Sequence, residues 1–156
     1  MTEGTARPTL DRELLEARKA YNEVVGYVLW QFQLIEETLK TYLDITFDLI
    51  RARTSDVLVC KWSRRDLENA PLGRLINQFE QFTDDDPLVL DLRALSEERN
   101  HCAHRAFVRA RREENTASLL MDVKRFADLK AQVESLLERM HARLTALGET
   151  CTREGV

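Results

Sequence analysis

The sequence predicts an all-α fold, an up-and-down bundle of four main helices with a short helical connector. Three observations carry that expectation. Glycine (5) and proline (3) are scarce among 156 residues, which leaves few places for the tight turns of a sheet. Apolar residues recur over long stretches at alternating spacings of three and four, the period of a helix. The length is that of one domain, and 44% hydrophobic against 32% charged residues is enough to bury a real core.

Taken in order, residues 1–9 carry small polar residues with Gly4 and Pro8 and read as a flexible leader. A single domain is expected over 10–149. From Leu10 to about Arg53 there is no proline, and Gly26 is the one place where a helix could bend. Tyr21, Val25, Val28, Phe32, Ile35, Leu39, Tyr42, Thr46 and Leu49 form one continuous helical seam. Residues 54–71 show no clear period and read as a connector with a short helical turn. Pro71 suits a first-turn position, so "LGRLINQFEQF" is a shorter helix. After "TDDDP", Asp86 is expected to cap and Pro87 to start the next helix, which runs to about Glu113. Asn115 and Thr116 mark a break. Val123, Phe126, Lys130, Val133, Leu137, Met140, Leu144 and Leu147 then outline a final helix that should stop near Gly148, with 150–156 as a flexible tail.

Composition narrows the function classes. A formal net charge of −4 excludes a general polyanion binder, so any nucleic-acid contact must be local. Three cysteines, Cys60, Cys102 and Cys151, are odd in number and widely spaced, which suits reduced thiols rather than a disulfide framework. No uncharged apolar run reaches the roughly 18 residues of a membrane span, and "MTEGTARPTLDRE" lacks an apolar signal core. A soluble cytoplasmic protein with no membrane partner is expected.

The stretch "LSEERNHCAHRAFVRARR", residues 95–112, is where chemistry concentrates. On a helical wheel of about 100° per residue with Leu88 as zero, Leu92, Leu95, Cys102, Ala103, Ala106 and Ala110 lie within about 60° and form the core face. Arg99 falls near 20°, inside that stripe. Asn100 and His104 lie at its edge, near 120° and 160°, and His101 on the far side, near 220°. An unpaired charge in a seam is costly, so Arg99 needs a partner or a cleft. Glu36 faces inward on the first helix and is the candidate. The pair fits either a structural salt bridge or an arginine held in orientation by a carboxylate.

"Arg99-Asn100-His101-Cys102-Ala103-His104" resembles the R-x4-6-H signature, in its R-N-x-x-x-H form, of the HEPN superfamily (higher eukaryotes and prokaryotes nucleotide-binding domain). "FQLIEETLKTYL" in the first helix is similar to the first-helix segments of that superfamily, and the likeness covers most of residues 20–147. The resemblance implies metal-independent RNA cleavage at a site shared across a homodimer, with no cofactor and no metal, in a toxin or defence effector that has an antitoxin partner. It assigns Arg99, Asn100 and His104 as catalytic. Histidine is the residue type suited to proton transfer at neutral pH, so His104 can move a proton, and Arg99 can hold a phosphate bidentately. On a straight helix Arg99 and His104 stand about 140° apart. A local distortion, or His104 of a second subunit, would close that gap.

Other readings of the same residues are open. A non-catalytic helical bundle that binds nucleic acid or a partner protein fits the same fold. "Glu98-Arg99-Asn100-His101" has the E-x-x-H spacing of di-iron bundles, but such a site also needs two more inward glutamates beside a second motif that faces the first. His101, Cys102 and His104 do not converge as zinc ligands, because Cys102 faces the core and His101 faces away. Arg105, Arg109, Arg111 and Arg112 form a cationic run suited either to a solvated face or to RNA phosphates. Lys61, Trp62, Arg64 and Arg65 could extend it, with Trp62 stacking on a base. Tyr27, Trp30, Leu34 and Ile45 form a second apolar strip on the first helix that suits either a dimer contact or packing on the connector.

Overall fold

The computed structural model describes residues 7–59 and 62–154, and every regular element among them is helical. α1 spans Arg7–Thr54, α2 Arg65–Glu68, α3 Leu72–Glu80, α4 Asp86–His101, α5 Phe107–Arg112 and α6 Thr116–Glu154. A π-helical turn, Cys102–Ala106, links α4 to α5, so residues 86–112 form one continuous rod. The expected all-α bundle is what the chain forms.

The seam read from α1 is its buried face. Tyr21, Val25, Val28, Phe32, Ile35, Leu39, Tyr42 and Thr46 are all buried, and Leu49 is half-buried. Each large side chain fully removed from water contributes about 1.5–3 kcal/mol, which is what holds so long a helix in place. At 48 residues α1 extends about 72 Å, and Gly26 lies within the unbroken helix. Helix begins at Arg7, inside the expected leader; Pro8 is tolerated because first-turn N–H groups have no intrahelical partner.

Cross-helix contacts fix the directions. Tyr21 packs edge-on against Phe126, and the Tyr27 hydroxyl donates to Glu134 Oε1 at 3.0 Å, so α1 and α6 run parallel. The 86–112 rod runs against both. Arg99 meets Glu36 and Arg18 donates to the Glu113 carbonyl, while Arg125 pairs with Glu98 and Arg143 with Asp85. The nine-residue α3 sits at one end, where Phe79 packs on Tyr42 and Phe82 follows onto Phe47. α3 thus turns the chain from the end of α1 into the returning rod.

Four boundaries differ from the sequence reading. Asp85, not Asp86, caps α4: its Oδ1 accepts from Leu88 N at 3.0 Å, which places Asp86 and Pro87 in the first turn. Burial by itself would raise the Asp85 carboxyl, but the Leu88 N–H together with Arg143 and Arg139 holds it below its usual range. Pro71 is the extended residue just before α3 rather than part of its first turn. Asn115 is less a break than a cap, accepting from the N–H groups of Ala117 and Ser118 at 3.0 and 3.2 Å. Finally, α6 does not stop at Gly148 but continues to Glu154. Gly148 does not adopt the left-handed conformation of a helix stop, and the Thr150 and Thr152 hydroxyls donate back to Ala146 and Gly148 carbonyls. Residues 150–154, expected as flexible tail, are therefore helical.

Candidate functional site

Arg99 and Glu36 meet as the two wheels require. Arg99 Nη2 donates to Glu36 Oε1 at 3.0 Å, and Nη1 donates to Asn100 Oδ1 at 3.4 Å. The guanidinium is held on two sides by α1 and by its own neighbour. Burial, however, is less than a seam position implies: the Arg99 side chain is 34% exposed and that of Glu36 18%. A long side chain carries its charged head out to the rim while its stem stays on the apolar stripe.

The π turn begins three residues after Arg99. Its i→i+5 hydrogen bonds widen the turn beyond 3.6 residues, and such turns are rare overall but frequent at functional sites. In a widened turn a four-residue step nearly closes the circle, which keeps Cys102, Ala106 and Ala110 together on the buried face. Ala103, expected at the edge of that face, is exposed. Each step also rotates the chain by less than an α-helical step, so His104 lies closer in angle to Arg99 than the 140° of a straight helix. His104, His101 and Asn100 are all exposed.

His104 lines a shallow groove of about 440 Å³ with Arg105, Val108, Arg109, Arg112 and Glu113. The four arginines of the cationic run do not act alike. Arg109 Nε lies 2.8 Å from Asp122 Oδ2, and its Nη2 donates to Ser118 Oγ at 3.4 Å, so its charge is largely compensated from α6. Its guanidinium nonetheless stays half-exposed on the groove wall. Asp122 stands across the turn, and the uninterrupted run of arginines hides it. Arg105 and Arg112 have no ion pair among the described residues and stay on the groove wall. Arg111 turns the other way, into a cleft against α1. Glu113 is held below the usual carboxylate range, chiefly by the Asn115 N–H. Arg99 is not a wall of the His104 groove.

The connector does not join the groove. Trp62 packs on Phe47 with ring centroids 4.4 Å apart and is half-buried, so it is not available to stack on a base. Arg64 lies 3.6 Å from Asp44. Lys61 lies outside the described residues. Part of the outer strip of α1 meets α6 rather than the connector. Tyr27 meets Glu134 and Lys130 of α6, the latter 4.4 Å above its ring, Trp30 packs on Tyr27, and both rings stay exposed. Leu34 and Ile45 are half-buried.

Cys102 is fully buried, and burial together with Glu98 pushes its thiol up to about 11, which makes it inert core rather than a nucleophile. No cluster of three or more His, Cys, Asp or Glu among the described residues is placed to hold a metal ion. No helix among the described residues is long and apolar enough to cross a membrane. The chain matches no family model, no curated protein and no solved structure. One residue beside the site escaped the sequence reading. Phe107 is 46% exposed and lies between His104 and Arg111. Its signal was present, an aromatic among arginines about 100° from the core stripe, but the run read as charge alone.

Proposed function

We propose that the protein is a metal-independent endoribonuclease of HEPN type, acting as a toxin or defence effector in the cytoplasm. The observation that carries the reading is the arrangement around the π turn. One guanidinium, Arg99, is braced by Glu36 and Asn100, and an exposed imidazole, His104, follows five residues later beside two arginines without ion pairs among the described residues. In the proposed reaction the RNA 2′-hydroxyl attacks the adjacent phosphorus and the 5′-oxygen leaves. The products are a 2′,3′-cyclic phosphate and a 5′-hydroxyl end. His104 moves the proton at the attacking or leaving oxygen, and Arg99 stabilises charge on the non-bridging oxygens. Asn100 orients Arg99, and Glu36 holds it from α1. Arg105 and Arg112 follow the strand by its phosphates. A homodimer that sets His104 of one subunit near Arg99 of the other, and an antitoxin protein that covers the site, belong to the same proposal.

The test is wild type against His104→Ala on a mixed RNA pool with chelator present, followed by analysis of product ends. A general acid–base group contributes about 10²–10⁴ in rate, so the variant should be nearly silent. His104 is exposed and outside the core, so the variant should melt with the wild type. DNA should survive, since it lacks the internal nucleophile. Equal cleavage by both proteins sinks the assignment of His104. One observation favours a second reading, a bundle that binds RNA or a protein without cutting: Arg99 is already paired with Glu36 and stands outside the His104 groove. Strand binding without cleavage by the wild type would establish it.

A further inference from the structure

A second cleft lies on the other side of α5 from the His104 groove, between α5 and the first half of α1. At about 790 Å³ it is the larger of the two, and its character differs. The apolar floor is Phe107, Leu15 and Ala110, with Leu15 67% and Phe107 46% exposed. Around it stand three cations, Arg18, Lys19 and Arg111. The single acid on its walls, Glu23, is 3.9 Å from Lys19. An apolar floor with a cationic rim stands out on a chain whose net charge is −4. It is poorly matched to a purely apolar partner, which would leave three charges desolvated. It is well matched to a planar aromatic ligand that carries its own negative charge.

We infer that this cleft is a nucleobase subsite: it takes one unpaired base of a single-stranded RNA, stacked on Phe107, with the flanking phosphates on Arg111 and Lys19. The inference rests on the RNA reading above and deepens it. Phe107 lies three residues after His104 and four before Arg111, so the stacking ring stands close along the chain to the proton-transfer group and shares its cleft with a phosphate contact. A strand in the His104 groove that crosses α5 brings a neighbouring base to the cleft. Every base has a π-face, so the subsite selects unpaired strands over duplex rather than one sequence over another.

The experiment is binding, measured by anisotropy, of a labelled single-stranded octanucleotide with 2′-O-methyl sugars, which resist the proposed cleavage. An abasic strand of equal length and a duplex serve as comparators. The wild type should bind the base-bearing strand at least several-fold more tightly than the abasic strand, and duplex should compete poorly. Phe107→Ala should weaken the base-bearing strand roughly five- to hundredfold and leave the abasic strand unchanged, while Phe107→Trp keeps the preference. Leu15→Ser, on the opposite wall, should lower the preference in the same direction and guards against a fold defect in the first variant. If the wild type binds and cleaves RNA but Phe107→Ala binds both strands as the wild type does, the subsite is wrong and the ribonuclease reading stands. If the wild type binds neither strand, both readings fall. If Phe107→Ala converts a dimer to a monomer in sedimentation and leaves strand preference intact, the cleft holds a second copy of the chain and the inference is overturned.

Discussion

Separating Glu36 from Arg99 should reveal a coupling of about 1–2 kcal/mol, between the limits set by exposed and buried ion pairs. The geometry is one charge-assisted hydrogen bond of 3.0 Å, with the two side chains 18% and 34% exposed. A fully exposed pair contributes about 0–1 kcal/mol, whereas removing one partner of a buried pair costs about 3–5 kcal/mol. Hydrogen bonds to charged groups contribute about 1.5–3 kcal/mol, and the third of Arg99 that remains in water discounts that figure. The assay is a double-mutant cycle by urea unfolding with Glu36→Ala, Arg99→Ala and the double variant. Alanine keeps helix propensity favourable at both positions, so the cycle isolates the pair. Because the pair is half-open to solvent, the coupling should shrink in roughly 1 M salt, where the screening length falls to about 3 Å. A coupling within about 0.3 kcal/mol of zero at low salt would mean that the two groups are neighbours without being partners. It would also remove the argument that Glu36 orients Arg99.

Two further outcomes follow from the rod. Asp85 is held below its usual range by the Leu88 N–H and two arginines, so its stabilisation is complete above the unfolded carboxylate pKa and is lost as pH falls through the depressed folded value. Thermal melts should therefore show Asp85→Asn, which keeps the cap but not the charge, less stable than wild type at neutral pH and converging with it as pH falls through the depressed folded value; parallel curves from neutral to acid pH refute the pairing. Deleting the exposed Ala103 should turn the π turn into ordinary α-helix and set His104 four residues after Arg99, about 40° from it on the wheel; this changes the angle that the π turn sets and should abolish the proposed cleavage with the far-UV helical signal intact. Full cleavage by the deletion variant refutes a role for the turn.

The long seams were legible because a period of 3.6 survives any detail of packing. The buried face of α1 is the one that Tyr21 to Thr46 outline. The pairing of Glu36 with Arg99 was legible for the same reason, since two inward charges on facing helices have few alternatives. Cap positions were less so. Three aspartates in a row offer the same chemistry, and only the path of the chain into α4 selects Asp85. The packing of Trp62 and the ion pair of Arg109 were not legible because their partners, Phe47 and Asp122, are distant in sequence and carry no local signal. Gly148 failed as a stop because glycine permits a left-handed residue without demanding one.

The π turn was the least legible feature, because a wheel drawn at 3.6 residues per turn assumes it away. Its cause can still be argued from residues. Cys102, Ala106 and Ala110 are small, buried and spaced by four, where the rod meets α1. At an α-helical pitch, a series of fours drifts around the helix by about 40° per step and would leave the contact. Widening the turn removes part of that drift, so the small residues stay against α1 and the rod can approach it closely. The residues between them are then turned outward together: His104 and Arg105 in one gap, Phe107 to Arg109 in the next, and Arg111 and Arg112 beyond. Packing on the small-residue seam and display of the chemical face are thus one requirement. The same insertion that fits the rod to α1 divides its outer surface into a His104 groove and a Phe107 cleft on either side of α5.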